Sequence, residues 1–170
     1  NMGIFYGLFI LFILLGGANA VNLTDGLDGL AGGLSAIAFL ALGIIAWGSN
    51  WISGYQDIAI FCFIMVGALM GFLLFNVNPA KVIMGDTGSL ALGASMVTVA
   101  ILTDHELTLV VIMGVFIIET LSVIIQNISL RFLRRKFFLM TPIHHHFEKL
   151  GWTERDIVKA FWVVGFLLTM

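Results

Sequence analysis

Residues 58–75 read IAIFCFIMVGALMGFLLF, a run that contains no charged side chain. Such a run is typical of a helix that crosses a membrane, which needs about 20 apolar residues. Five further apolar stretches flank this one along the chain, at 3–18, 30–48, 89–102, 107–128 and 157–170. We therefore predict an all-α integral membrane protein with six transmembrane helices.

The composition of the whole chain supports this prediction. Of the 170 residues, 60% are hydrophobic and 11% are charged, and the mean hydropathy is +1.07. A soluble domain carries about 25% charged residues, so this chain lacks the charge to cover a surface in water. Its net charge of −2 also has the wrong sign for binding nucleic acid. These values exclude a soluble globular domain, a disordered chain and a nucleic-acid-binding protein.

The basic residues divide the polar loops into two sets. With six spans, loops 19–29, 76–88 and 129–156 share one face of the membrane, and loops 49–57 and 103–106 share the other. All eight Lys and Arg lie in the first set or at the start of the last span, and they are Lys81, Arg131, Arg134, Arg135, Lys136, Lys149, Arg155 and Lys159. Because cytoplasmic loops carry the excess of Lys and Arg, the first set is predicted to be cytoplasmic.

The first and third loops are rich in Asn, Asp and Gly, and each ends where a helix enters the membrane. Asp25 and Asp28 precede the second span, and Asp86 precedes the fourth. Helix N-termini favour anions such as phosphate, and carboxylates suit Mg²⁺. We expect Asp86, which two glycines bracket, to be the better metal ligand, and Asp28 to accept hydrogen bonds from a nucleotide. The alternative is that these aspartates only cap their helices.

Three consecutive histidines, His144, His145 and His146, follow Pro142 in the fifth loop. Neither a helix nor a strand would direct all three imidazoles at one metal ion. Imidazoles beside a basic loop suit phosphate contact or proton transfer near neutral pH. An exposed histidine run without a function is the alternative.

Glu119, Ser122 and Gln126 lie at i, i+3 and i+7 in the fifth span, as a polar stripe on one face of the predicted helix. An ionisable group inside a membrane is costly and normally faces the protein interior. The polar stripe therefore marks either a groove that faces the substrate or a seam of hydrogen bonds between helices. The basic run at 131–136 that follows anchors the topology and attracts anionic lipid or lipid phosphate.

Three segments on the predicted cytoplasmic face together resemble the phospho-N-acetylmuramoyl-pentapeptide-transferase family. They are NAVNLTDGLDGLA at 19–31, NPAKVIMGDTGSLALG at 78–93 and PIHHHFE at 142–148. The similarity extends over nearly the whole chain and includes the residues around Glu119.

The resemblance implies Mg²⁺-dependent transfer of phospho-MurNAc-pentapeptide from UDP-MurNAc-pentapeptide to undecaprenyl phosphate, which gives lipid I for peptidoglycan and releases UMP. It also implies a ten-helix fold, a homodimer, and an active site on the cytoplasmic face of the bacterial inner membrane. On this interpretation the chain is the C-terminal part of a longer enzyme.

The same resemblance makes Asp86 the metal ligand and places Asp28 and Gly29 near the uracil. The predicted catalytic residues are Asp28, Asp86, His144, His145 and His146. The predicted substrate-binding residues come from the first and third loops and from the polar stripe. They are Asn19, Asn22, Asp25, Asp28, Gly29, Asn76, Lys81, Glu119 and Gln126.

Two features depart from the family pattern. The earlier half of the family, with four spans and an adjacent pair of aspartates, has no counterpart in these 170 residues, so we expect this chain alone to be inactive. Many members carry Phe where this chain has Ile83, a side chain with no aromatic ring to stack on the uracil.

Three alternatives remain open at this point. A related transferase that uses UDP-GlcNAc would share the aspartate loops, but the PIHHHFE segment favours the muramoyl-peptide donor. A transporter would line the membrane depth with polar residues, whereas here they collect on one face. A scaffold subunit would show no Mg²⁺-dependent release of UMP.

Overall fold

The computed structural model describes residues 2–49 and 54–170, and all regular secondary structure in these ranges is helical. The helices are α1 (Met2–Thr24), α2 (Leu30–Gly48), α3 (Tyr55–Asn76), α4 (Gly85–Leu102), α5 (Glu106–Ile112), α6 (Gly114–Ile128), α7 (Ile143–Lys149) and α8 (Glu154–Leu168). A π-helical turn, Ser129–Leu133, follows α6 directly. The all-α prediction is confirmed.

Helices of sufficient length and apolarity to cross a membrane confirm the prediction of an integral membrane protein. Five such segments lie in the described ranges, at Gly3–Thr24, Leu30–Gly48, Tyr55–Asn76, Gly85–Leu102 and Gly114–Leu133. Helix α8 has 15 residues, or about 22 Å at about 1.5 Å per residue. That is shorter than the hydrocarbon core of a bilayer, which is about 30 Å thick. The predicted sixth span, 157–170, corresponds to α8, which runs to within two residues of the end of the sequence.

Helix ends differ from the predicted spans where polar residues continue a helix beyond its apolar part. Helix α1 runs to Thr24 instead of residue 18, so Asn19 and Asn22 lie on its last turns and not in a loop. Helix α4 begins at Gly85, which puts Asp86 in its first turn. The predicted helix 107–128 is interrupted at Met113, immediately before Gly114. Hydropathy locates the apolar part of a helix, whereas backbone hydrogen bonding decides where the helix ends.

The core forms around α2, which packs mainly on α3 and also on α8, while α1 packs along α4. The backbones of α1 and α4 come very close, because a Cβ built on Gly93 would lie 2.5 Å from the carbonyl oxygen of Gly17. Outward faces carry large apolar side chains such as Phe5, Phe12 and Leu74, which are 75%, 75% and 81% exposed. Such faces suit contact with lipid or with another apolar protein surface.

The two ends of the bundle differ in their polar chemistry. At one end, Asp104 and Glu106 accept hydrogen bonds from the hydroxyls of Tyr55 (3.5 Å) and Tyr6 (2.8 Å). At the other end, residues 25–29 contact residues 76–80, His144 of α7 and the start of α8. These segments, together with the last turns of α1 and the first turn of α4, hold the candidate site.

Candidate active site at one end of the helix bundle

Asp86 is oriented by a side chain from another helix. The amide nitrogen of Asn22, on the last turns of α1, lies 3.0 Å from Oδ1 of Asp86 and 3.0 Å from the hydroxyl of Ser89. Ser89 is fully buried, whereas Asp86 is exposed. The contact fixes an accessible carboxylate at the N-terminus of α4.

The half-buried carboxyl of Asp25 lies near that of Asp86. Its pKa is raised, first by burial and then by the negative charge of Asp86, while a hydrogen bond to the backbone of Gly85 opposes this rise. Two carboxyl groups that raise each other's energy form a place where a cation is favourable.

The donor set can be compared with the needs of Mg²⁺. In residues 2–49 and 54–170, no group of three His, Cys, Asp or Glu side chains is placed to hold a metal ion. Mg²⁺ is commonly bound through only one or two carboxylates, with water and substrate phosphates completing its shell. Asp25 and Asp86 repel each other and both offer oxygen donors, so the pair is suited to bind this ion.

Asp28 joins the first polar loop to the third loop and to α8. Its Oδ2 accepts hydrogen bonds from the backbone N–H of Ala80 (2.9 Å) and from the side chain of Asn78 (3.4 Å). Its own backbone N–H donates to Glu154 at 2.7 Å. The amide of Asn78 also donates to Glu154 at 2.6 Å, and the Arg155 guanidinium donates to Oδ1 of Asn78 at 3.1 Å. We call these five residues the loop clamp.

Sequence reasoning missed Asn78, Glu154 and Arg155 as members of the site. One available signal was the start of α8, where the hydroxyl of Thr153 accepts a hydrogen bond from the backbone N–H of Asp156. A Thr followed three residues later by an acidic residue marks a helix start. That start places charged side chains on the same face as the aspartate loops.

Gly29 and Asn76 also connect the first polar loop to the third. Gly29 adopts a positive φ of 82°, and its backbone N–H donates to Oδ1 of Asn76 at 3.1 Å. The amide nitrogen of Asn76 donates to the carbonyl of Val82 at 2.9 Å. The indole of Trp162 donates to the carbonyl of Gly29 at 3.2 Å. Asn76 is 5% exposed, so both ends of its amide are used inside the protein.

The three histidines face different partners from the short helix α7. Nδ1 of the fully buried His144 lies 3.1 Å from Oε1 of Glu119. The half-buried His145 pairs with Glu148. Nδ1 of His146 accepts a hydrogen bond from the backbone N–H of Leu139 at 3.1 Å. The imidazoles therefore do not converge on one point.

The structure places the polar stripe of α6 in a hydrogen-bonded seam. Glu119 is completely buried and meets His144, as described above. Oε1 of Gln126 accepts from the backbone N–H groups of Phe137 (3.0 Å) and Phe138 (2.9 Å), and its Nε2 donates to the Phe138 carbonyl (3.1 Å). Both side chains thus hold the chain that follows the π turn against α6.

Two predicted residues lie at the margin of this site. Asn19 is exposed, and its amide donates to the Leu15 carbonyl of its own helix at 2.8 Å. Lys81 is exposed on the third loop. Ile83, where the family pattern often has Phe, is 79% exposed.

The fold and the site define a membrane-embedded helical protein whose carboxylates, amides and imidazoles collect at one end. Residues 1–104 match the model of glycosyl transferase family 4. The chain belongs to this family.

Several relatives share more than half of their aligned residues with this chain. It is 58% identical over all 170 residues to the phospho-N-acetylmuramoyl-pentapeptide-transferase of Geobacillus sp. (strain WCH70), and covers 51% of that protein. It is 56% identical to the protein of that name from Anoxybacillus flavithermus and 55% identical to that from Bacillus subtilis, with the same coverage. The chain thus spans about half the length of the curated relatives it matches.

Proposed function

We propose that this chain takes part in the transfer of phospho-MurNAc-pentapeptide from UDP-MurNAc-pentapeptide to undecaprenyl phosphate, with release of UMP. The family, together with relatives named for this transferase, supports the proposal. The observation that carries it is the pair of carboxyls, Asp25 and Asp86, beside the N-terminus of α4, which are near enough for the charge of Asp86 to raise the pKa of Asp25. The site faces the cytoplasm in the bacterial inner membrane, and the enzyme is a homodimer.

Asp86 holds Mg²⁺ in this proposal, with Asp25 beside it. The bound ion neutralises negative charge on the diphosphate of the donor, which phosphoryl transfer requires. Asn22 keeps Oδ1 of Asp86 in place by its hydrogen bond. The first turn of α4 presents backbone N–H groups at its positive end, which favours the phosphates of the donor.

The loop clamp and Gly29 form the proposed nucleotide side of the site. Oδ2 of Asp28 is used within the clamp, whereas Oδ1 has no hydrogen bond among the described residues and is assigned to the uracil or the ribose. Lys81 is exposed on the neighbouring loop and provides a cation for the diphosphate. His145 and His146, which are half-buried, are assigned to phosphate contact or proton transfer.

An apolar groove of about 290 Å³ between α1, α5 and α6 supports a lipid acceptor. Phe12, Val110 and Leu121 are among its lining side chains. The exposed basic run at 131–136 follows α6 directly and would attract the phosphate of a polyprenyl lipid. An acceptor bound in this way places its apolar tail in the membrane and its phosphate at the polar end.

A donor-choice assay tests this function in the complete enzyme that carries the chain. Fluorescent undecaprenyl phosphate is incubated with Mg²⁺ and either UDP-MurNAc-pentapeptide or UDP-GlcNAc, and lipid product and UMP are measured. We expect product from the muramoyl donor only. Product from UDP-GlcNAc alone would assign a related transferase, and no UMP release with either donor would refute the proposal.

A further inference from the structure

The pair formed by His144 and Glu119 has no access to solvent. Both side chains are 0% exposed, and Nδ1 of the imidazole lies 3.1 Å from Oε1 of the carboxyl. With Glu119 as a carboxylate, which can only accept a hydrogen bond, Nδ1 of His144 is the donor. In the neutral ring, Nε2 is then left as a bare acceptor.

The opposite edge of the His144 ring lies against the backbone of Gly26. A Cβ built on Gly26 would lie 2.4 Å from Nε2 and 2.9 Å from Cε1 of His144, so a larger residue cannot fit without displacing the ring. Nε2 is buried and has no hydrogen-bond partner among the described residues. The ring is therefore covered on this edge by its own chain.

Gly26 belongs to the turn that carries Asp25. The backbone N–H of Gly26 donates to the Thr24 carbonyl at 2.9 Å, and that of Asp25 donates to the Val21 carbonyl at 3.1 Å. A shift of Gly26 would therefore move the neighbouring carboxyl of Asp25, which lies near Asp86. Contact with a buried imidazole restrains this shift from the inner side of the turn.

We propose that Glu119 and His144 are positioning residues for the metal-binding carboxyls. Glu119 fixes the His144 ring, the ring supports Gly26, and Gly26 fixes Asp25 relative to Asp86. This inference rests on the proposed function. It gives His144 and Glu119 a positioning role in place of the catalytic and substrate-binding roles predicted from the sequence.

Four single variants of the complete enzyme test the inference. Glu119→Gln keeps an acceptor for Nδ1, Glu119→Leu removes it, and Gly26→Ala pushes the ring away. Ser122→Ala is the control, because among residues 2–49 and 54–170 this buried hydroxyl bonds only the backbone carbonyl of Glu119, at 2.6 Å. Gel filtration in detergent checks the fold of each variant.

Mn²⁺ affinity, measured by electron paramagnetic resonance, reports the carboxyl site without relying on turnover. We expect Glu119→Leu and Gly26→Ala to weaken it by about 10- to 100-fold, the usual effect of removing a residue that orients a metal ligand. Turnover should fall in parallel while the KM for the lipid stays unchanged. Glu119→Gln and Ser122→Ala should retain near-normal affinity.

Nitrogen-15 NMR of labelled histidine gives a second readout, which does not depend on the reaction. The His144 signals should show a protonated Nδ1 and a bare Nε2 in the wild type and in Glu119→Gln, and lose this pattern in Glu119→Leu. Unchanged Mn²⁺ affinity in both Glu119→Leu and Gly26→Ala would overturn the inference. If the wild type binds Mn²⁺ as expected but transfers no sugar phosphate, the proposed function fails and the positioning pair stands.

Discussion

Replacing Gly33 by Ala should destabilise the protein and disturb the nucleotide side of the site. A Cβ at Gly33, on α2, would lie 2.1 Å from Cε2 and 2.2 Å from Nε1 of Trp162. Overpacking of this kind costs about 1–3 kcal/mol, and Ala recovers about 1 kcal/mol of helix propensity over Gly. The net loss of stability should therefore be at most about 2 kcal/mol, and Gly33→Ala should gain less than an Ala placed where its Cβ meets nothing.

The functional effect of Gly33→Ala follows from the hydrogen bond that the same indole makes. Nε1 of Trp162 donates to the Gly29 carbonyl at 3.2 Å, and Gly29 is the neighbour of Asp28. Displacing the indole should shift this loop and raise the KM for the nucleotide donor, with a smaller effect on the KM for the lipid.

The assay for this variant combines denaturant titration of the purified enzyme in detergent with donor kinetics. Gly67→Ala on α3 is the matched control, because nothing lies within 4 Å of a Cβ at that position. The control should be as stable as the wild type or slightly more stable. If Gly33→Ala matches Gly67→Ala in both stability and donor KM, the packing argument is wrong.

Two further changes test the loops. Asn78→Ala removes the hydrogen bonds to Glu154 (2.6 Å) and Arg155 (3.1 Å). Because the site is partly exposed, we expect a stability loss of about 1 kcal/mol and a higher donor KM. An unchanged melting temperature with an unchanged KM would contradict the loop clamp. Burial and Asp86 raise the pKa of Asp25, so the native state keeps this proton to higher pH than the unfolded chain. The metal-free protein should therefore lose stability as pH rises from the ordinary Asp range through the raised pKa. Asp25→Asn should remove that loss, which unfolding curves at several pH values will show.

Much of the architecture follows from where charge is absent and where it is concentrated. The uncharged run at 58–75 is sufficient to predict a transmembrane helix, and the structure has α3 there. Because successive loops lie on opposite faces of the membrane, the sequence predicted that the first, third and fifth loops would share one face. The contacts of Asp28 with Ala80 and Glu154 bring parts of these loops together.

The specific partners could not be predicted, because they depend on tertiary packing. Asn78 and Glu154 are 76 positions apart, and Glu119 and His144 are 25 apart. No spacing rule links residues on separate helices. The sequence left two interpretations of Glu119 open, and the choice required the position of α7 relative to α6.

Asp86→Ala shows whether Asp86 holds the metal ion on which the proposed transfer depends. The complete enzyme and this variant are compared for Mg²⁺-dependent UMP release from UDP-MurNAc-pentapeptide, with gel filtration and melting curves as checks of the fold. We expect a folded variant that forms no lipid product at any Mg²⁺ concentration. Near-normal release of UMP by the folded variant would contradict this expectation.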